Sequence, residues 1–250
     1  MSYIQINKLK NALELYCRAK DDDEKKDRLD KMEAILSDLR YIGCSSDYQR
    51  HVLQLVLDDV SRKTHGKLTS AVNAVYGKIV SEGRARFQVF CSQYNIKNGD
   101  FMDYSHGIDF RKPTSFYQIK EKETMYQWCR VFANGELSVG QWFTKTEVDP
   151  IKLGITPHYD VLLRPDFKRH QGTGSRVLCS FIFPFQKNSF QCIAAGTLDS
   201  WNWQRHFDGE YIENDGHWAG GGAMQFFVPL TDNESLSLAK CGSIIRRWDD

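Results

Sequence analysis

Two apolar segments in the C-terminal half of the chain restrict its fold more than any other pattern in the sequence. They read RVLCSFIFPF (176–185) and SFQCIAAGTL (189–198), and a polar turn of Gln186, Lys187 and Asn188 lies between them. Runs of this length that are rich in aliphatic and aromatic side chains are typical of central antiparallel strands. We therefore expect the second half of the chain to contain an antiparallel sheet, with these two segments as a hairpin.

The first eighty residues show the three- and four-residue apolar spacing of helices instead. One apolar stripe runs from Ile6 to Cys17, and a second stripe, out of phase with the first, runs from Leu29 to Leu39. This pattern predicts a helical hairpin over residues 1–45. Nearly every residue of 18–33 is charged, and we interpret that run as a solvated face and turn. Its four consecutive acids, 21–24, suit the positive N-terminal end of a second helix.

Two further helices are predicted at about 46–60 and 68–83, and beyond them the pattern becomes strand-like. ARFQVFCSQY (85–94), an alternating run with three aromatic residues, is predicted as a strand, and FMDYSHGIDF (101–110) as the strand that follows it. The pair Asn98-Gly99 between them is a strong turn signal. The predicted domains are a helical extension over 1–45 and a larger domain over 46–250.

The later elements are predicted from shorter signals. Residues 124–132 fit either a helix or a strand that ends at the Asn134-Gly135 turn, and both interpretations stay open at this point. Residues 136–143 and 224–230 are predicted as short strands. The acids and apolar residues of 232–245 predict a last helix.

Four of these pieces resemble, in order and spacing, the GAF domain family of intracellular sensory modules over about residues 68–203. The matching pieces read AVNAVYGKIVSEGRARFQVFCSQY, FMDYSHGIDF, MYQWCRVFANGELSVGQWF and GSRVLCSFIFPFQKNSFQCIAAGTLDS. The resemblance implies a six-stranded antiparallel sheet with helices on both sides and a ligand cavity beside the segment that follows the second strand. We expect an α+β protein with an N-terminal helical region followed by a GAF-like antiparallel sheet flanked by helices.

Composition excludes several classes of function. The net charge of +1 argues against nucleic-acid binding through overall charge. The apolar runs are too short to span a membrane, and no signal peptide is recognisable. The seven cysteines contain no C-x-x-C pair, which favours free thiols in the cytoplasm. No pattern identifies a cofactor, so the cofactor stays unknown.

The leading hypothesis is a sensor or regulatory module, not an enzyme, that binds a small molecule. It would signal through dimerisation of its helices, as a homodimer, or through a separate effector protein. The aromatic candidates would stack on the ligand, while Arg164 and His158 would hold polar or anionic groups. The predicted ligand-binding residues are Phe90, Trp128, Trp142, His158, Arg164, Phe181 and Asp199.

A second hypothesis is a small cysteine-dependent hydrolase or toxin-like effector. Cys91 would be the nucleophile, His106 its base, and Asp103 or Asp109 the residue that orients the histidine. This hypothesis requires Cys91 and His106 to lie on adjacent strands. A third hypothesis is a pure protein-interaction module that uses the charged run 18–33 as its contact.

A metal site is a further alternative. The candidate ligands His206, Asp208 and His217 lie close together in the sequence, but their spacing matches no known metal-ligand motif. The surrounding Asn, Asp and Gly residues are typical of a solvated surface loop. We therefore expect no metal ion.

Overall fold

The computed structural model describes residues 3–41, 47–131, 134–155, 176–196 and 221–247, and this part of the chain is an α+β protein. The described helices are α1 (Tyr3–Arg18), α2 (Asp22–Tyr41), α3 (Asp47–Lys63), α4 (Thr69–Ser92), α5 (Asn98–His106) and α6 (Asp232–Cys241). The described strands are β1 (Ser115–Ile119), β2 (Thr124–Val131), β3 (Leu137–Ser138), β4 (Trp142–Phe143), β5 (Arg176–Ile182), β6 (Lys187–Ile193), β7 (Met224–Phe227) and β8 (Ser243–Arg247).

The N-terminal unit comprises Met1–Gln88 and Phe110–Pro113. The predicted helical hairpin is confirmed, because α1 and α2 pack against each other. One apolar core joins α1 to α4, and its buried residues run along the chain from Ile6 to Ile79. This unit therefore extends well past the expected boundary at residue 45, because α3 and α4 contribute to the same core.

The charged run 18–33 forms the turn before α2 and the exposed face of that helix. The side chain of Asp21 accepts a hydrogen bond from the backbone N–H of Glu24 at 2.7 Å, which satisfies one of the free N–H groups at the start of the helix. Along the exposed face, Lys31 donates to Asp27 at 2.6 Å. The interpretation of this run as a solvated face and turn agrees with these contacts.

The strand predicted at 85–94 is wrong, because α4 continues as a helix to Ser92. Phe87, Phe90 and Cys91 are buried at helical spacing and extend the apolar side of the helix. Gly83, where the helix was expected to end, is instead a close-contact position. A Cβ atom there would lie 3.0 Å from Cδ1 of Phe110, so the glycine makes room for that ring.

The strand predicted at 101–110 is also wrong. Asn98-Gly99 begins α5 rather than forming a hairpin turn. Phe101, Ser105 and Ile108 are buried at helical spacing, although Ile108 itself forms an isolated β-bridge with Ala194. A run of aromatic residues this short fits both the two-residue period of a strand and the 3.6-residue period of a helix. In this segment the chain forms a helix.

The C-terminal unit, Val89–Asp109 and Thr114–Asp250, contains two antiparallel sheets. One has the strand order β1-β6-β7-β4, and the other has the order β3-β2-β5-β8. The described strands therefore do not form the single six-stranded sheet that the GAF resemblance implies. The sheets meet at an isolated bridge, in which the backbones of Tyr126 and Thr144 exchange two hydrogen bonds of 2.8 Å.

Both apolar segments that predicted a hairpin are strands, β5 and β6, but they do not pair with each other. β5 pairs with β2 and β8, whereas β6 pairs with β1 and β7. The connection contains Pro184, which has no N–H for a sheet ladder. The N–H of Phe183, just before it, donates to the carbonyl of Glu123 at 3.0 Å. The connection therefore carries the chain from one sheet to the other.

The remaining predictions are confirmed in part. Residues 124–131 form a strand, β2, and 224–227 form β7. The segment 136–143 is divided between β3 and β4, which belong to different sheets. The last helix, α6, ends at Cys241, so Ile244 and Ile245 lie in β8 instead of continuing the helix. None of the described helices combines the length and the apolar character that a bilayer crossing requires.

Candidate functional site

A cleft of about 480 Å³ lies in the C-terminal unit where the two sheets meet. Strands β2, β3, β4, β5 and β7 contribute to its walls, together with α5 and the segment 153–155. Its lining is aromatic, amide-rich and cationic. The aromatic residues are Tyr104, Tyr126, Trp128, Trp142 and Phe143, the amides are Gln127, Gln141 and Gln225, and the cations are Arg130 and Arg176.

The aromatic rings of the cleft are held by neighbouring groups. Tyr104 and Trp142 both contact Phe227 of β7, with ring centroids 4.7 and 5.1 Å away. The indole N–H of Trp128 donates to the carbonyl of Val148 at 2.8 Å. These contacts restrict the rotation of the rings, so the walls exist before any ligand binds.

The three glutamines hold the cleft walls together. Gln127 donates to the carbonyl of Trp142 at 2.6 Å and accepts from the N–H of Gly140 at 2.9 Å. Gln225 donates to the carbonyl of Gly107 at 2.7 Å. Gln141 accepts from the N–H of Leu230 at 2.7 Å. Because these amides bond to the backbone of neighbouring segments, they serve the shape of the cleft.

A short 3₁₀ helix, Pro150–Leu153, brings Leu153 and Ile155 to the cleft. Gly154 follows the last residue of this helix and has a φ of +72°. A Cβ atom at this glycine would lie 2.4 Å from the carbonyl oxygen of Ala195. Only glycine combines this left-handed conformation with so close an approach, so Gly154 sets the direction of the chain at this wall.

The two arginines lie on neighbouring strands. Arg130 of β2 is directly opposite Arg176 of β5 in the strand register, and the guanidinium of Arg176 donates to the carbonyl of Trp128 at 3.4 Å. A third guanidinium, that of Arg246, lies 5.3 Å from the centroid of the Trp128 ring. Among the described lining residues there is no Asp, Glu, His or Cys. The described part of the cleft is therefore cationic.

No protein-family model matches this chain. No curated protein matches it either. Among solved structures, a chain from the structure of Tse6 in complex with Tsi6 is similar to it, with 17% sequence identity and a TM-score of 0.42 over 68% of this chain and 98% of that chain. This TM-score is too low to support a conclusion about function. The GAF resemblance stays a prediction.

The structure brings two of the predicted ligand-binding residues together, because Trp128 and Trp142 both line the cleft. Phe90 and Phe181 do not line it. Phe90 packs against the rings of Tyr94, Phe116, Phe190 and Phe227, and Phe181 is buried against Phe143. The other predicted binding and metal residues lie outside the described part of the chain: His158, Arg164, Asp199, His206, Asp208 and His217.

The arrangement expected for a cysteine nucleophile is not supported. Cys91 lies in α4, and Asp103 and His106 lie in α5, so the premise of two adjacent strands is wrong. Cys91 is 1% exposed, and burial raises the pKa of its thiol to about 12. A thiol with such a pKa is protonated at neutral pH and is a poor nucleophile. The described residues also contain no group of three side chains that could hold a metal ion.

Four further residues line the cleft that were not among the predicted binding residues: Tyr104, Tyr126, Arg130 and Arg176. The sequence did contain a signal for two of these residues, Tyr126 and Arg130. If 124–132 is taken as a strand, the alternation of Tyr126, Trp128 and Arg130 places these three side chains on one face. Arg176 and Tyr104 had no such signal, because strand pairing and chain packing bring them to the cleft.

Proposed function

We propose that the C-terminal unit binds a small molecule that carries a planar aromatic ring, in the cleft where the two sheets meet. The observation that carries this proposal is the aromatic wall formed by Tyr104, Tyr126, Trp128 and Trp142. Ligand pockets in proteins typically measure about 300–1,000 Å³, and the cleft volume of about 480 Å³ falls within that range. Aromatic side chains bind planar rings through stacked or edge-on contacts.

The fixed geometry of the wall supports ligand binding. Its rings and amides are already held by hydrogen bonds and ring contacts, which lowers the entropic cost of binding. The described lining residues offer no carboxylate, imidazole or thiol for acid–base or nucleophilic chemistry. The proposal therefore agrees with the small-molecule-binding part of the leading sequence hypothesis.

We also propose that the chain signals through dimerisation of its helices or through a separate effector protein. The support for this is that the N-terminal helices expose large apolar side chains to solvent, a property of surfaces that contact other proteins. These residues are Tyr3, Ile4, Leu15, Tyr41, Tyr48 and Leu55. Light scattering on the full chain measures whether it dimerises. A chain that stays monomeric at all accessible concentrations would contradict dimerisation. Signalling would then require a separate effector protein.

Calorimetric titration of the full chain with uncharged planar probes tests the binding proposal. Adenosine, guanosine and indole each present a planar ring without a charge. We expect at least one of them to bind saturably, and we expect Trp142→Ala to weaken that binding about tenfold or more because one wall of the cleft is removed. Tyr41→Ala is the matched control, since Tyr41 is 73% exposed at the end of α2.

Circular dichroism must show that the Trp142→Ala variant keeps its secondary structure, because Trp142 also contacts Phe227. If that variant unfolds, Tyr126→Ala provides a second removal of a wall residue. Binding that is unchanged in a folded wall variant, or no binding of any of the three probes, would contradict the proposal.

A further inference from the structure

The indole N–H of Trp142 is a donor of the cleft wall that has no hydrogen-bond partner in the described part of the chain. Trp142 is half-buried. Its backbone carbonyl accepts from Gln127 and its ring contacts Phe227, and neither contact uses the indole N–H. Trp128 differs in this respect, because its indole N–H donates to the carbonyl of Val148. Of these two cleft tryptophans, Trp142 is therefore the one whose donor is open to a ligand.

The carbonyl of Gly107, which lies beside the indole, is already engaged. A Cβ atom at Gly107 would lie 3.6 Å from Cε2 of Trp142, the ring atom bonded to the indole nitrogen. The carbonyl of Gly107 accepts from the side chain of Gln225 at 2.7 Å and from the N–H of Ala195 at 3.1 Å. A carbonyl oxygen has two lone pairs, and these two bonds occupy both of them.

The side-chain oxygen of Gln127 is engaged in the same way. It accepts from the N–H of Gly140 at 2.9 Å and from the thiol of Cys129 at 3.3 Å. The amide of this residue therefore serves the wall and offers no spare acceptor to the cleft. The indole N–H of Trp142 is left to bond to water or to a ligand.

A ligand ring that covers this donor must supply an acceptor to replace the water. An indole nitrogen carries a hydrogen and can only donate. A ring without an acceptor would leave the N–H buried and unpaired, which costs the hydration that the group has lost. A ring nitrogen with a lone pair, or a carbonyl oxygen on the ring, restores the hydrogen bond. Sites that hold such a donor strongly reject analogues that lack the matching group.

We propose that the Trp142 N–H determines the specificity of the cleft, and that the ligand is a heteroaromatic compound with a nitrogen or carbonyl acceptor on its ring. This inference rests on the proposed function, since it requires the ring to lie against the aromatic wall. It excludes purely carbocyclic rings as preferred ligands. The nucleobases belong to the chemical class that it selects.

Calorimetric titration of the full chain with indole and benzimidazole, at mildly alkaline pH, tests this inference. The two uncharged bicyclic compounds have the same shape and one N–H each, but benzimidazole has a nitrogen acceptor where indole has a C–H group. We expect benzimidazole to bind about tenfold or more tightly than indole. Trp142→Phe keeps an aromatic ring on the wall and removes the N–H. The ratio of the two affinities should therefore fall to about one in this variant, whatever the change in each affinity.

Tyr41→Phe is the matched control, since it removes a hydrogen-bonding group from an exposed aromatic ring of the other unit. It should keep the preference for benzimidazole. Circular dichroism must show that Trp142→Phe is folded. The contact can also be followed without a substitution, by nuclear magnetic resonance of the full chain labelled with ¹⁵N-tryptophan. The Trp142 indole N–H resonance should move downfield when benzimidazole binds, because a new hydrogen bond deshields the proton.

The outcomes separate the failure of this inference from the failure of the proposed function. Equal binding of indole and benzimidazole overturns the role of the Trp142 donor but leaves the ring-binding cleft intact. A preference for benzimidazole that persists in folded Trp142→Phe also overturns it. If that variant does not fold, an indole N–H resonance that fails to move downfield with bound benzimidazole has the same consequence. Binding of neither compound, nor of adenosine or guanosine, overturns both proposals.

Discussion

At the scale of single residues, burial separates Cys91 from the exposed cysteines of the chain. Cys91 is 1% exposed near the end of α4, and burial raises the pKa of its thiol to about 12. Cys17 and Cys241 are exposed. Since the thiolate is the reactive form, a Cys91 thiol that stays protonated at pH 7 reacts slowly. From the sequence alone, Cys91 was a candidate nucleophile, but the burial of its side chain argues against that role.

We expect iodoacetamide at neutral pH to alkylate Cys17 and Cys241 in the folded protein and to leave Cys91 unmodified. Peptide mapping by mass spectrometry measures the modification at each position. The same reaction in concentrated urea is the control, because unfolding exposes Cys91 and should permit its alkylation. Modification of Cys91 in the folded protein as fast as that of Cys17 would contradict its burial and revive the nucleophile hypothesis.

At the scale of elements, Lys187 and Glu234 join β6 to α6. Glu234 forms a capping box with Thr231 at the start of α6, and the ammonium of Lys187 lies 2.7 Å from both of its carboxylate oxygens. Partial burial raises the pKa of the Glu234 carboxyl, but the hydrogen bonds from Lys187 and the Thr231 backbone outweigh it and hold the pKa below its usual value. The ionised carboxylate therefore stabilises the folded state.

The lowered pKa of Glu234 gives its stabilisation a defined pH dependence. A carboxyl whose pKa is lower in the folded state stabilises the fold above its unfolded pKa of about 4.3, and the effect is lost as the pH falls through the folded value. We expect Glu234→Gln, which keeps the reach to the Thr231 N–H, to lower the free energy of unfolding by about 1 kcal/mol at pH 7. The difference from the unchanged protein should shrink below about pH 4.

Urea unfolding at several pH values measures this difference. Asp232→Asn is the matched control, since it removes a negative charge from the same helical turn without touching the contacts of Lys187. A Glu234→Gln effect that stays constant from pH 7 to pH 3 would show that the ion pair with Lys187 contributes nothing to stability.

At the scale of the whole molecule, the described residues contain two separate apolar cores. The first is formed by α1 to α4 and includes the fully buried Leu36. The second is formed by both sheets and α6 and includes the fully buried Phe183. The six tryptophans of the sequence all fall within the residue ranges of the C-terminal unit. Tryptophan fluorescence therefore reports on that unit, while circular dichroism at 222 nm reports on all helices.

Two cores of this kind predict unfolding in more than one step. Removing the Leu36 side chain by Leu36→Ala should cost the N-terminal unit about 2–5 kcal/mol, because it leaves a cavity in a buried core. We expect the circular dichroism transition in urea to move to lower concentration while the fluorescence midpoint stays in place. Phe183→Ala is the converse control and should lower the fluorescence midpoint. If Leu36→Ala lowers both midpoints equally, the two units unfold as one.

Local sequence patterns predicted an element correctly where its apolar residues fitted only one period, either that of a helix or that of a strand. The stripes of α1 and α2 predicted two helices, and the aliphatic and aromatic residues of β5, β6 and β7 predicted three strands. The short aromatic run around Phe87 and Phe90 was misread, because it fits a strand as well as a helix. Gly83 added to that error, since its role in contacting Phe110 is a packing role that no local pattern reveals.

The sequence by itself determined the α+β class and the helical N-terminal region. Only the tertiary structure decided that β5 and β6 belong to different sheets and that Arg130 meets Arg176 across a strand pair. The physical reason is that side-chain periodicity depends on neighbours a few residues away, whereas strand pairing depends on how a whole unit buries its apolar surface.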